Sequence, residues 1–270
     1  RGLGDVYKRQ VHYAADRVQS ARAGSPDRTA VAIIEHPDVR RMLMRMKALT
    51  EGMRALLYYT AGQVDRGTLG NDAAGLRGEV LVPMIKAWGT DTGVEVASIG
   101  VQVHGGMGFV EETGAAQHYR DARIAPIYEG TNGIQAADLV TRKLGFENGN
   151  VFASLMADIA HDAADEPALF ALAGDCAAIG TWMRETASLD DRLAGSVPFC
   201  EMCAVAVAGW QMLRQKRAVE TGAAPSLAAI KPATARFFLD HIVPEAAGLK
   251  ASAVAGASGL YELSAVQLAG

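Results

Sequence analysis

PDVRRMLMRMKALTEGMRALLYY, residues 37–59, is the stretch whose pattern decides the fold of this chain. Val39, Met42, Met46, Leu49, Met53 and Leu56 recur at intervals of three and four, with Arg40, Lys47, Glu51 and Arg54 between them. A helical turn takes about 3.6 residues, so this spacing gathers the apolar side chains on a narrow stripe and leaves the charges outside it. Pro37 suits a first helical position, where its missing N–H costs nothing. The stretch reads as a long bundle helix, and its methionines as core filling rather than a soft ligand surface.

The neighbouring segments extend the same reading. Upstream, residues 11–22 form the end of a helix, followed by a loop at residues 23–28 that contains Gly24, Ser25 and Pro26. Residues 1–10, RGLGDVYKRQ, show two glycines and no helical period; they resemble translated adapter sequence and are expected to be a non-native or disordered end. Downstream, residues 65–78 hold four glycines with Asn71 and Asp72 and are expected to be a loop. Pro83 then starts a helix with Ile85, Trp88, Thr92, Val96, Ile99 and Val103 on one stripe. After a glycine-rich end at residues 104–108 come a short helix at 115–122, a turn at Pro126 and a helix at 132–144 capped by Thr131.

Residues 145–150, GFENGN, have little to bury and mark a domain boundary. Beyond them Leu169, Leu172, Cys176, Ile179 and Met183 mark one amphipathic helix. Phe199, Met202, Ala206, Trp210 and Leu213 mark another, with Ser196 as its expected cap. Pro232 and Pro244 bracket a helix holding Phe237 and Phe238, and residues 249–269 read as a last one. The expected fold class is all-α, with helical domains at residues 11–147 and 148–270.

Composition narrows the function classes. Of 270 residues half are hydrophobic and 21% are charged, with Lys+Arg 26 against Asp+Glu 30; this excludes a disordered chain and a general polyanion-binding surface, so no nucleic-acid partner is expected. Residues 1–150 carry 18 basic and 17 acidic side chains, whereas residues 151–270 carry 8 and 13. No apolar run of roughly 18 residues is evident, so no membrane span is expected and the cytoplasm is the default compartment. Cys176, Cys200 and Cys203 form an odd set without a partner pair for a zinc site, and read as small buried residues; no metal is expected.

The chemistry-bearing stretch is residues 102–144, QVHGGMGFVEETGAAQHYRDARIAPIYEGTNGIQAADLVTRKL. Taken singly, Gly105, Gly106 and Gly108 only end a helix, Arg120 and Asp121 form an ion pair, and Glu129 is a charge before a helix N-terminus. Together and in this order, the segments QVHGGMG (102–108), YRDAR (119–123) and IYEGT (127–131) make residues 11–144 resemble the C-terminal helical domain of flavin-dependent acyl-CoA dehydrogenases. Residues 148–270 resemble the extra helical domain of the longer bacterial members, a group whose substrates include 3-methylthiopropionyl-CoA.

That resemblance implies a C-terminal fragment of an FAD-dependent oxidoreductase that converts an acyl-CoA to the trans-2-enoyl-CoA, with an antiparallel four-helix-bundle domain. It implies that Glu129 removes the α-proton and that the Glu129 backbone N–H helps bind the thioester carbonyl. Gly130 would let the chain approach the substrate, and Tyr128 would line its channel. Arg17 matches the arginine that meets the FAD pyrophosphate; Gln102, Val103, His104, Gly105 and Gly106 match the segment reaching the adenosine diphosphate part of FAD in a neighbouring subunit; Thr131 matches a hydroxyl residue beside the cofactor. Electron-transfer flavoprotein is the implied acceptor and a homodimer or homotetramer the implied assembly. Two departures stand out: the Arg17 region carries an inserted Gly-Ser-Pro loop, and Gly133 replaces a frequent Gln. The family's N-terminal helical and middle β-domains have no counterpart in the sequence. A non-catalytic helical interaction module and an acyl-CoA oxidase are the alternatives.

Overall fold

The computed structural model describes residues 3–270, and helix α1, Leu3–Asp16, is its first element. Leu3 to Gln10 are therefore helical, contrary to the aperiodic end read from the sequence, while Arg1 and Gly2 lie outside the described residues. Val6, Gln10 and Ala14 are buried at four-residue spacing, a stripe that Gly4 and the charged neighbours obscure. The helix also stops earlier than expected. From Arg17 the chain is extended: Gln19 N–H donates to Val31 O (3.0 Å), Val31 N–H to Ser20 O (3.0 Å), and Val18 bridges Ala32 antiparallel. Among the described residues this isolated bridge is the extent of β structure.

Helix α2, Pro37–Thr68, carries the opening stripe with Met42, Met46, Leu49 and Leu56 buried and Arg40 and Arg54 exposed. Helix α3, Asp72–His104, is longer than the sequence suggested and runs straight through Pro83. The supposed loop at 65–78 is a tight helical hairpin. A Cβ on Gly67 would lie 2.6 Å from Gly75 Cα, so the glycines permit two helix backbones to touch rather than break the helices. Asn71 restarts the helix by accepting from Ala74 N–H through Oδ1 (2.9 Å).

Two compact units emerge from the packing, the first comprising residues 1–51 and 90–128 and the second residues 52–89 and 129–270. In the first, α1 lies against the C-terminal part of α3 at Gly100, where an added Cβ would sit 2.9 Å from Gln10 Nε2. Short helices α4, Gly106–Phe109, and α5, Ala115–Ala122, follow. Arg120 forks onto Glu111 (2.9 and 2.7 Å) rather than pairing with Asp121, and this contact holds the Glu111 carboxyl below its ordinary range.

The second unit contains α6, Asn132–Thr141; α7, Asn150–Asp162; α8, Pro167–Glu185; α9, Leu189–Glu220; and α10, Lys231–Phe237. Helix α9 is its axis, packed by α6, α8 and α10. By length and composition α9 could cross a membrane, but 72% of its most apolar window is buried inside the unit, as a core helix requires. Its cap is Ser188, which accepts from Asp191 N–H (3.1 Å); Ser196 is instead a buried interior residue whose hydroxyl bonds to Leu193 O. The segment bracketed by Pro232 and Pro244 is helical as expected, α10 passing into a π-helical turn, Phe238–Ile242, and then into an α-helical stretch, Val243–Ala247, whereas residues 249–269 form short turns instead of one helix. Cys176, Cys200 and Cys203 are buried and unbridged, as expected, with the Cys203 thiol pushed well up by burial.

Candidate functional site

The sequence-derived site residues fall into two groups. The first group lines a cleft of about 330 Å³ in the first unit, where Arg17, Gln102, Val103, His104 and Gly105 meet. Tyr13 forms its wall, one turn before Arg17; its ring stacks on His104 at 4.2 Å between centroids and its hydroxyl donates to His104 O (3.3 Å). His104 is further held through Nδ1 and Gly100 O (2.9 Å), and His36 through Nε2 and Gln19 O (2.9 Å). Arg17 is exposed, and among the described residues its guanidinium has no hydrogen-bond or ion-pair partner.

The end of α3 gives this cleft a bare backbone rim. Gly105 has φ +61, which favours glycine, and its N–H donates to Gln102 O (3.0 Å). Neither Gly105 nor Gly106 has any atom within 4 Å of an added Cβ. Packing therefore does not require Gly106 to lack a side chain; a ligand resting on the backbone would. A free guanidinium, a polar Gln102 and an open glycine rim suit an elongated anionic ligand such as a phosphate ester.

The second group is the turn before α6. Tyr128 is exposed, with its N–H donating to Ile124 O (3.1 Å). Glu129 is exposed at φ +52 and Gly130 follows at φ +87, two successive left-handed residues. For glutamate this conformation costs about 1–2 kcal/mol, a strain that persists only where the surroundings impose it. Gly130 is thus required by its backbone conformation, a reason the sequence did not reveal. The Glu129 N–H makes no hydrogen bond among the described residues. Thr131 caps α6, its Oγ1 accepting from Ile134 N–H (3.3 Å), as its position predicted.

Two residues absent from the sequence-derived set fasten this turn. Lys86, on α3, donates through Nζ to Gly130 O (2.6 Å) and to Asn132 Oδ1 (3.0 Å), and Asn132 Nδ2 donates to Ala87 O (3.0 Å). Lys86 lies over 40 positions away in the chain, so no local motif signals it.

Residues 9–144 match the family model described as acyl-CoA dehydrogenase, C-terminal domain, and residues 152–264 match that described as acetyl-CoA dehydrogenase C-terminal like. The chain belongs to the acyl-CoA dehydrogenase family. It is 42% identical over 267 residues to the 3-methylmercaptopropionyl-CoA dehydrogenase of Ruegeria pomeroyi, covering 89% of this chain and 44% of that protein. A broad-specificity linear acyl-CoA dehydrogenase of Mycobacterium tuberculosis is 33% identical, covering 90% of this chain and 45% of the relative. The fold is shared with an acyl-CoA dehydrogenase from Bacillus anthracis complexed with FAD, at TM-score 0.71 and 19% identity over 92% of this chain and 45% of that one. The acyl-CoA dehydrogenase family chain described here thus spans less than half the length of these relatives.

Proposed function

We propose that this chain is the C-terminal part of an FAD-dependent acyl-CoA dehydrogenase, with residues 11–147 as its family helical domain and residues 148–270 as an extension. The observation that carries this reading is Glu129, a carboxylate held in a left-handed turn with an unpaired backbone N–H at a position matching the family's base. In the reaction the Glu129 carboxylate takes the proton from Cα of the acyl thioester while a hydride leaves Cβ, and the Cα–Cβ bond becomes a trans double bond. FAD, when bound, supplies the acceptor of that hydride.

An α-proton beside a thioester is weakly acidic, so the base must be positioned and dry; desolvation raises the basicity of a carboxylate. Glu129 is exposed in this chain, and we assign its covering to the portion of the longer relatives that the chain does not span. The free Glu129 N–H supports a role in binding the thioester carbonyl, where negative charge develops. Tyr128 beside it would line the acyl channel, and Gly130 would keep the approach open. The first-unit cleft suits an anionic group of FAD, with Arg17 for the pyrophosphate and Gln102, Val103, His104, Gly105 and Gly106 for the adenosine diphosphate part of FAD in a neighbouring subunit. Thr131, at the start of α6, is separately assigned beside the cofactor through its match to the family's hydroxyl residue. The acyl-CoA substrate class includes the 3-methylmercaptopropionyl and linear acyl thioesters of the two relatives. Electron-transfer flavoprotein is the proposed electron acceptor. Exposed Met107, Phe109, Ile124 and Ile127 support a homo-oligomeric form in which apolar surface is covered.

The deciding experiment is Glu129→Gln in the full-length protein. FAD content should be unchanged and turnover should fall at least ~100-fold, the lower end for loss of a general base. Near-normal turnover would remove Glu129 from the reaction.

A further inference from the structure

The Glu129 turn is held from outside itself. Residues 129 and 130 are both left-handed, and a glycine next to the reactive carboxylate adds freedom where a base needs a fixed direction. The bonds that oppose this freedom come from α3. Lys86 Nζ spans the helix start, donating to Gly130 O on one side of Thr131 and to Asn132 Oδ1 on the other (2.6 and 3.0 Å), while Asn132 Nδ2 returns a bond to Ala87 O (3.0 Å). The Thr131 cap completes the fixation of residues 130–132.

Helix stability does not explain this lysine. Its ammonium sits at the N-terminus of α6, the end whose partial positive charge disfavours a cation. What the ammonium does there is fix the Gly130 carbonyl, and with it the Gly130–Thr131 peptide plane, which anchors the chain one residue beyond Glu129. We propose that Lys86 is a positioning residue for the Glu129 base, with Asn132 as the second arm of the same clamp. The inference rests on Glu129 being the base; Lys86 itself need touch neither substrate nor cofactor.

Three variants, Lys86→Met, Lys86→Arg and Asn132→Ala, test the clamp in the full-length flavoprotein, with deuterium uptake of residues 129–134 as a readout independent of turnover. Lys86→Met keeps length and loses the donor. Its kcat should fall about 10- to 100-fold, the scale set by a small misplacement of a reacting group, with KM for acyl-CoA within about twofold and FAD content unchanged. Uptake across 129–134 should quicken, and Lys86→Arg, which still donates, should recover most of both properties. Should Lys86→Met not fold, Asn132→Ala must show the quickened uptake. Unchanged uptake in either variant overturns the clamp, and so does unchanged kcat in Lys86→Met. Failure of the underlying reading looks different: Glu129→Gln would then turn over normally while Lys86→Met still loosens residues 129–134.

Discussion

Glu129 and Gly130 show how much of this site is set by backbone conformation. Both occupy the left-handed region, but only Gly130 does so without steric cost. Gly130→Ala introduces that cost at φ +87 and brings a Cβ to 3.4 Å from Gln135 Nε2. The expected outcome is a loss of about 1–2 kcal/mol in unfolding free energy, with turnover of the full-length protein falling by more than the stability change alone explains. Urea denaturation and steady-state kinetics on the same preparation check this; an alanine variant with unchanged stability would show that the turn relaxes. The residue types at 127–131 were legible from sequence because a carboxylate, a glycine and a capping threonine occur in order. Their left-handed conformations were not, since glutamate is a poor candidate for positive φ and the Lys86 bond that fastens the next residue, Gly130, comes from a distant part of the chain.

At the scale of elements, glycine and proline were the residues most easily misread. Gly67, Gly75 and Gly78 resemble loop punctuation, yet they sit where α2 and α3 touch backbone to backbone, and Pro83 lies within α3 rather than at its start. Helix stripes based on Leu, Met and Val were readable because burial enforces a period; close approach enforces small size without any period. Gly67→Ala would place its Cβ 2.6 Å from Gly75 Cα, and the backbones must separate. A destabilisation of roughly 1–3 kcal/mol is expected, measurable as a lower denaturation midpoint, whereas Gly62→Ala in the same helix meets open space and should be neutral or slightly stabilising. The start of α9 offers a pH test. Asp191 accepts from the Ser188 hydroxyl and from Ala257 N–H, and these bonds hold its carboxyl below the ordinary range. A depressed folded value means that the contribution is present above the unfolded value, about 4, and is lost as pH falls through the folded one. Protection of the Ala257 amide, its exchange rate relative to the intrinsic rate at the same pH, should therefore fall as pH drops below about 4, and Asp191→Ala should show low protection at neutral pH with no further loss in acid.

For the whole molecule the question is what a chain less than half as long as its relatives can do alone. Its two units each have buried apolar residues, and α9 alone buries Phe199, Met202, Val205, Val207, Trp210 and Leu213, apolar burial that requires no ligand. The chemistry is less self-sufficient. Arg17 and the glycine rim offer one charged group and a bare backbone, contacts for part of a phosphate-bearing ligand, and the Glu129 carboxylate is open to water, where a carboxylate is a poor base for an α-proton. Affinity for a large cofactor needs more enclosure than one open cleft gives, because most of the ligand surface must leave water. The isolated 270-residue chain is accordingly expected to fold with a helical spectrum, to remain colourless after incubation with FAD and gel filtration, and to show no acyl-CoA-dependent reduction of an added dye. A yellow chain that turns over acyl-CoA would mean that the residues described here enclose flavin and desolvate Glu129 without help, and the assignment of both tasks to the uncovered portion of the longer relatives would have to be abandoned.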